Sequence, residues 1–163
     1  GGANAGEAYV IFGKAPAAAV NRTGAAGGQV IRGGAFDDTL SGVGGDDTLD
    51  GGGGADRLKG GKGKDSFVLD SVSPADADKI ADFDAVKDLI ALEGDAFGLP
   101  EGALAANRYV VGNAAEDAND RLIYNAANGK IFFDADGTGA QAQVLIATLT
   151  GAPNLAAADI VVI

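Results

Sequence analysis

The chain has 163 residues, the length of one domain or of one domain with a small appendage, and 47% are apolar, ample for a core. Its net charge of −11, from 23 acidic and 12 basic side chains, argues against nucleic acid or an anionic membrane surface as a partner. It contains no Cys, His, Met or Trp, which excludes disulfides, zinc sites of the usual kind and histidine-dependent catalysis, and no apolar run reaches the length of a membrane-spanning helix.

Residues 1–15, GGANAGEAYVIFGKA, predict one strand over 8–12. This stretch resembles the closing part of an FG-GAP repeat, the propeller-blade motif of integrin α chains and many bacterial surface proteins; it reads equally well as a plain strand covering the end of whatever follows. The chain opens at Gly1 rather than Met and shows no signal-peptide pattern, so we expect it to be a piece of a longer protein. The absence of Cys suits a bacterial protein exported without an oxidative folding step.

From residue 33 to 68 the chain is four nine-residue units in unbroken phase: GGAFDDTLS, GVGGDDTLD, GGGGADRLK and GGKGKDSFV. The sixth place is always Asp (Asp38, Asp47, Asp56, Asp65), and the eighth is always large and apolar (Leu40, Leu49, Leu58, Phe67). A flexible Gly/Asp linker has no reason to keep the apolar place. Residues 24–32, GAAGGQVIR, are a faded fifth unit, with Gln29 and Ile31 at those two places, expected to add half a coil without a full-strength site. The eighth place starts a short strand facing a core. Glycine-rich bends can turn carbonyls inward because glycine reaches positive φ. Two units make one coil of 18 residues, so each bend stacks on the bend two units later. Calcium takes six to eight hard oxygen ligands in a forgiving geometry. Ions are therefore expected between Asp38 and Asp56 on one edge, and between Asp47 and Asp65 on the other. Asp37 and Asp46 add to the local field.

This pattern, G-G-x-G-x-D-x-U-x, resembles the calcium-binding nonapeptide of RTX (repeats-in-toxin) proteins. The resemblance implies that the second, fourth and sixth places of one turn face the first, third and sixth places of the turn below. One site would then use Gly34, Phe36 and Asp38 with Gly51, Gly53 and Asp56. The other would use Val43, Gly45 and Asp47 with Gly60, Lys62 and Asp65. Phe36 and Val43 stand where the family has glycine, and a β-branched Val at positive φ would be strained. Eighteen residues beyond Gly60 lies Asp78, opening DKIADF. Asp78 or Asp82 is expected to cap the open face of the 60–65 turn.

Residues 65–92 resemble the segment that follows the roll in serralysin-type metalloproteases. Short strands are predicted at 78–83 and 88–92, burying Ile80, Phe83, Leu89, Ile90 and Leu92. GDAFG, 94–98, predicts a turn or short helix end. Beyond Asn107 the pattern predicts a β-meander: strands at 108–112, 121–125, 130–134 and 143–149, with Asn-Gly and Asp-Gly hairpin signals. DADGTG, 134–139, matches the first half of an EF-hand loop, but Leu145 stands where the bidentate Glu is required, which favours a hairpin turn. The acidic loop with Glu116, Asp117, Asn119 and Asp120 reads as solvated or as a partial site. The tail NLAAADIVVI, with Asp159 ahead of apolar residues, resembles the ends of serralysin-type proteases, which serve type I secretion through an ABC exporter. It also reads as an ordinary final strand.

The expected fold is all-β, a short parallel β-roll running into an antiparallel C-terminal region. Residues 1–23 would form an N-terminal strand or cap, 24–68 the roll, and 69–163 the C-terminal region with the secretion signal. The expected function is a Ca2+-binding module of a larger secreted or surface protein from bacteria, folding outside the cell when calcium binds, with a transient contact to the exporter and no membrane insertion. The alternatives are an anchoring or stiffening region of a surface adhesin or S-layer-type protein, or the tail of an RTX protease or lipase. No catalytic residues are assigned, since the chain carries no HExxH, GxSxG or phosphate-binding loop.

Overall fold

The computed structural model describes residues 18–163. The strand expected at 8–12, with its FG-GAP resemblance, lies outside the described residues.

Six short strands follow one another at the spacing of the repeat, β1 (Asn21–Thr23), β2 (Val30–Gly34), β3 (Thr39–Gly44), β4 (Thr48–Gly52), β5 (Arg57–Lys62) and β6 (Ser66–Leu69), and two more, β7 (Asp78–Ile80) and β8 (Leu89–Leu92), follow after longer bends. Odd strands pair in parallel in one sheet and even strands in a second, so the chain winds between two facing sheets. The register is that of an 18-residue coil: Leu40 lies beside Leu58 and Leu49 beside Phe67. The faded unit joins as expected, with Ile31 beside Leu49. Period-two alternation sends the eighth-place side chains into the space between the sheets, where Leu40, Leu49, Leu58 and Phe67 are fully buried. Each such burial is worth about 1.5–3 kcal/mol.

Parallel pairing does not stop at Val68, where the nonapeptide pattern ends. Ile80 stands beside Leu58, and Ile90 beside Phe67, so two further half-coils with longer bends continue the same core. Ile80, Phe83, Ile90 and Leu92 are buried as expected. Leu89 is not: at 37% exposure it occupies the seventh place and faces outward, because alternation about the buried Ile90 requires it.

The remaining chain extends both sheets from the roll's C-terminal end. After a single helical turn, α1 (Gly94–Phe97), ended by Gly98 in the left-handed region, come β9 (Gly102–Ala103), β10 (Tyr109–Val111), β11 (Leu122–Asn125), β12 (Lys130–Phe133), β13 (Val144–Leu149) and β14 (Ile160–Val162). β13 adds in parallel beside β7, and β14 in parallel beside β8, so the roll and the C-terminal region share two continuous sheets. β11, β12 and β13 form the expected antiparallel meander. β10 departs from it, pairing in parallel with β11, because residues 112–121 return the chain to its starting edge before β11 begins. Phe97 and Phe133 close this end edge-to-face at 5.1 Å. The Tyr109 and Tyr124 hydroxyls donate to the carbonyls of Leu155 and Pro153, tying the crossing segment to the sheet. Among the described residues no helix is long and apolar enough to cross a membrane.

Candidate metal centre

Stacking the bends 18 residues apart turns the four sixth-place aspartates into two columns, one on each edge of the roll. Within a column each backbone amide donates to the carboxylate of the next layer. The Asp38 N–H bonds Oδ1 of Asp56 at 2.6 Å, and the Asp47 N–H bonds Oδ1 of Asp65 at 2.9 Å. At the N-terminal end Val20 and Gln29 donate likewise to Asp38 and Asp47.

Only one oxygen of each carboxylate is used this way. Oδ2 of Asp38, Asp47, Asp56 and Asp65 is buried without a hydrogen-bond partner, on residues only 1% exposed. Each Oδ2 folds back over the first glycine of its own unit: a Cβ on Gly33, Gly42, Gly51 or Gly60 would collide with it. First-place glycine is thus required by the carboxylate as well as by the bend. No basic side chain neutralises these groups, since the ion pairs of the described residues are Arg32–Asp50 and Lys87–Asp84. A buried, half-satisfied carboxylate is costly unless a cation completes it.

The backbone supplies the rest of a hard-oxygen donor set. Val43 and Gly45 (φ 81° and 96°), Gly52 and Gly54 (80° and 102°), and Gly61 and Gly63 (102° and 138°) put the second and fourth places of three units in the left-handed region. The Val43 carbonyl then abuts Gly61, and the Gly45 carbonyl abuts Gly63, in the turn 18 residues on. Val43 takes this conformation with its side chain in solvent, at a cost of about 1–2 kcal/mol for an L-residue. The first unit behaves differently. Gly34 and Phe36 do not adopt positive φ, and the Gly34 carbonyl accepts the Gly53 amide at 2.9 Å. The structure brings Asp38 and Asp56 together, and the Gly34 and Phe36 carbonyl groups still abut Gly52 and Gly54 in the turn 18 residues on, although they reach there without positive φ. No three His, Cys, Asp or Glu side chains converge among the described residues, so backbone oxygens must dominate any ion's shell. Carboxylate plus carbonyl oxygen, with orphaned buried lone pairs, is a set that fits calcium.

Stacked buried carboxylates suppress one another's ionisation. Burial, reinforced by Asp38, Asp37 and Asp70, raises Asp56 to about 7 against the lowering effect of its hydrogen bond from Asp38. Burial likewise raises Asp78 to about 8, with Asp56, Asp70 and Asp76 adding to it. Asp47, Asp65 and Asp88 are raised as well, burial again leading.

The capping residues are distributed differently from expectation. Asp82 does sit on the 60–65 turn, accepting the Gly60 and Gly61 amides, both at 3.0 Å. Asp78 does not; its Oδ1 accepts the Asp56 amide at 2.9 Å, in the other column, because the bend after Asp70 is four residues longer than a repeat. The residue above Asp65 is Asp88, whose Oδ1 accepts the Asp65 amide at 3.0 Å. Sequence reasoning missed Asp88, although Asp78-x-Ile80 and Asp88-x-Ile90 both keep the repeat's Asp-x-apolar ending. Asp76, also missed, accepts the Gly54 amide. Asp37 and Asp46 do more than add charge: they accept the Ala55 and Lys64 amides one coil later.

Residues 134–139 form the turn between β12 and β13, with Leu145 in β13. Asp134 Oδ1 accepts the Asp136 amide and Asp136 Oδ2 the Gln141 amide, while Asp136 Oδ1 is buried without a hydrogen-bond partner. In the neighbouring acidic loop Asp120 accepts the Glu116 and Asp117 amides.

A family model described as RTX calcium-binding nonapeptide repeat (4 copies) matches residues 23–58 and 32–67. The solution structure of the AlgE6R3 subunit from the Azotobacter vinelandii mannuronan C5-epimerase is similar, with a TM-score of 0.61 and 28% identity over 98% of this chain and 86% of that one. No curated protein matches the sequence.

Proposed function

We propose that this chain, whose segment 23–67 matches the RTX calcium-binding nonapeptide repeat, is the calcium-triggered folding and export region of a larger secreted or surface protein. The observation that carries this reading is the set of four buried, unpartnered Oδ2 atoms in two stacked columns. One ion would lie between Asp38 and Asp56, the other between Asp47 and Asp65. Gly34, Phe36, Gly51, Gly53, Gly60, Lys62, Val43 and Gly45 would supply carbonyl oxygens. Asp82 and Asp78 would add charge at the C-terminal end of the stack.

In calcium-poor cytosol the carboxylates repel and glycine entropy opposes order, so the chain stays unfolded. Extracellular calcium modules bind with Kd around 10⁻⁴–10⁻³ M. Each site then adds about 1.4 kcal/mol when calcium stands tenfold above Kd. On this reading the strand β14 and the preceding Asp159 have two lives. The exporter reads them unfolded inside the cell. Outside, Ile160 and Val162 are buried beside β8 and β9. Residues 24–68 carry the switch and 69–163 close the roll and hold the export signal, with 1–23 leading in from the host protein.

The deciding experiment is a calorimetric calcium titration paired with far-UV circular dichroism, with and without EGTA. Cooperative binding of two or more ions linked to a gain of β signal is the expected result. A spectrum unchanged by EGTA would refute the reading. Export would be checked by the secretion rate of a fused reporter, which falls on deletion of residues 159–163 if they are the signal.

A further inference from the structure

The roll contains more calcium-shaped layers than the repeat does. The mark of a layer is an amide of one sixth-place residue donating to Oδ1 of the next, 18 residues on, as at Asp38–Asp56 and Asp47–Asp65. The same bond recurs from Asp56 to Asp78 at a separation of 22, and from Asp65 to Asp88 at a separation of 23. Neither partner belongs to a nonapeptide. Both are nevertheless buried, Asp78 at 5% exposure and Asp88 at 4%, and both precede a core isoleucine by two places.

Oδ2 of Asp88 accepts the Asp84 amide at 2.8 Å, whereas the turns beneath the two added aspartates keep free buried acceptors. Oδ2 of Asp56 and of Asp65 lies buried without a partner. Gly52 and Gly54, at 80° and 102°, repeat the backbone that Val43 and Gly45 use to aim carbonyls at the following layer, and Gly61 and Gly63 repeat it again. More acids gather at these two layers: Ser71 holds Asp76 against the Gly54 amide on one edge, and Asp82 covers the Gly60 and Gly61 amides on the other. The N-terminal end has no such provision, because Val20 and Gln29 stand where a carboxylate would be needed.

We infer that the stack holds two calcium ions beyond those of the repeat, one between the 51–56 turn and Asp78 and one between the 60–65 turn and Asp88, so that non-repeat bends double the metal content. The two added layers place calcium at the junction from which β13 and β14 extend the sheets. Calcium there couples folding of the C-terminal region to folding of the roll. This rests on the calcium reading given above.

The test is a count of bound calcium by atomic emission on the intact chain, alongside calorimetric titration. Wild type should hold four ions, and the D78N/D88N double variant two, each single variant losing one. Two or three ions in wild type would overturn the inference and leave the calcium reading standing, as would equal counts in wild type and the double variant. No ions in wild type would overturn both. Should the double variant fail to fold, crystals of wild type grown in calcium decide the matter. Anomalous peaks beside Asp78 and Asp88 support the added sites, and peaks confined to the Asp38–Asp56 and Asp47–Asp65 layers overturn them.

Discussion

The Asp65 amide donates to Oδ1 of Asp88, 23 residues away, at 3.0 Å. Five residues more than one repeat coil separate them, yet the bond is the one that joins Asp47 to Asp65 inside the repeat. The structure therefore preserves the layer while letting the bend lengthen, and the aspartate columns outrun the motif that encodes them.

If the columns are the calcium switch, charge and hydrogen bonding can be separated at Asp56 and Asp65. D56N/D65N keeps an oxygen to accept the Asp38 and Asp47 amides but removes both charges. It should lose calcium-induced folding while leaving the calcium-free chain as stable as wild type or more so. D56A/D65A also loses the two acceptors, at about 1 kcal/mol each, and should be less ordered in every condition. Circular dichroism across a calcium series reads both outcomes. A calcium response retained in D56A/D65A would remove these residues from the site.

Acid should have opposite effects on the calcium-free fold and on calcium binding. Burial raises Asp56 to about 7 and Asp78 to about 8 from an ordinary 3.8, so over that interval the folded state holds more protons than the unfolded one. These groups' contribution to the calcium-free fold is complete below the ordinary value and is lost as pH rises through about 7 and about 8. Calcium requires the ionised form, so its affinity should weaken as pH falls through the same interval, with protons released on binding. Titrations in buffers of different ionisation enthalpy measure the protons. Calcium affinity independent of pH between 8 and 5 would contradict the geometry.

Val43 carries a backbone angle of 81° with an exposed, β-branched side chain. Val43→Gly should relieve about 1–2 kcal/mol of strain against roughly 0.5–1 kcal/mol of added unfolded-state entropy. The calcium-loaded variant is expected to melt about 2 °C higher, on the usual scaling for a chain of this size. Differential scanning calorimetry at saturating calcium checks it; a lower Tm would mean that the valine side chain contributes packing.

Two glycines two places apart should respond differently to alanine. A Cβ on Gly51 would overlap the Asp56 carboxyl group, whereas a Cβ on Gly53 meets nothing closer than the Ala35 Cα at 3.7 Å. Gly51→Ala should therefore weaken calcium binding at least tenfold, by displacing the carboxylate, or about 1.4 kcal/mol. Gly53→Ala keeps its carbonyl and should bind nearly as wild type. Calorimetric affinities compare the pair directly, and equal affinities would show that the carboxylate has freedom to move.

The strict repeat made the centre of this structure legible. Four registered units dictated which aspartates would stack, which leucines would be buried, and that the sheets would be parallel. Legibility failed where register was interrupted. Of the two candidates for capping the 60–65 turn, Asp82 does so and Asp78 lies in the other column, because a four-residue insertion cannot be phased from one strand alone. Asp88 was passed over because DLIAL looks like any short buried strand until Phe67 is seen beside Ile90. The parallel placement of β10, β13 and β14 depends on which sheet edge is free, and local patterning carries no record of that.

Composition and period alone settled the chemistry of the chain: hard-oxygen donors at fixed intervals, no soft or imidazole ligands, and an apolar residue two places after each sixth-place aspartate of the repeat. Those properties are local, since the repeat encodes its own neighbours at a constant spacing. The length of the aspartate columns, their asymmetry between the two ends and the fusion of the roll with the C-terminal strands are not local. They arise because a β-roll ends in two open sheet edges with unpaired hydrogen-bonding groups, and the chain satisfies those groups with whichever later strands reach them.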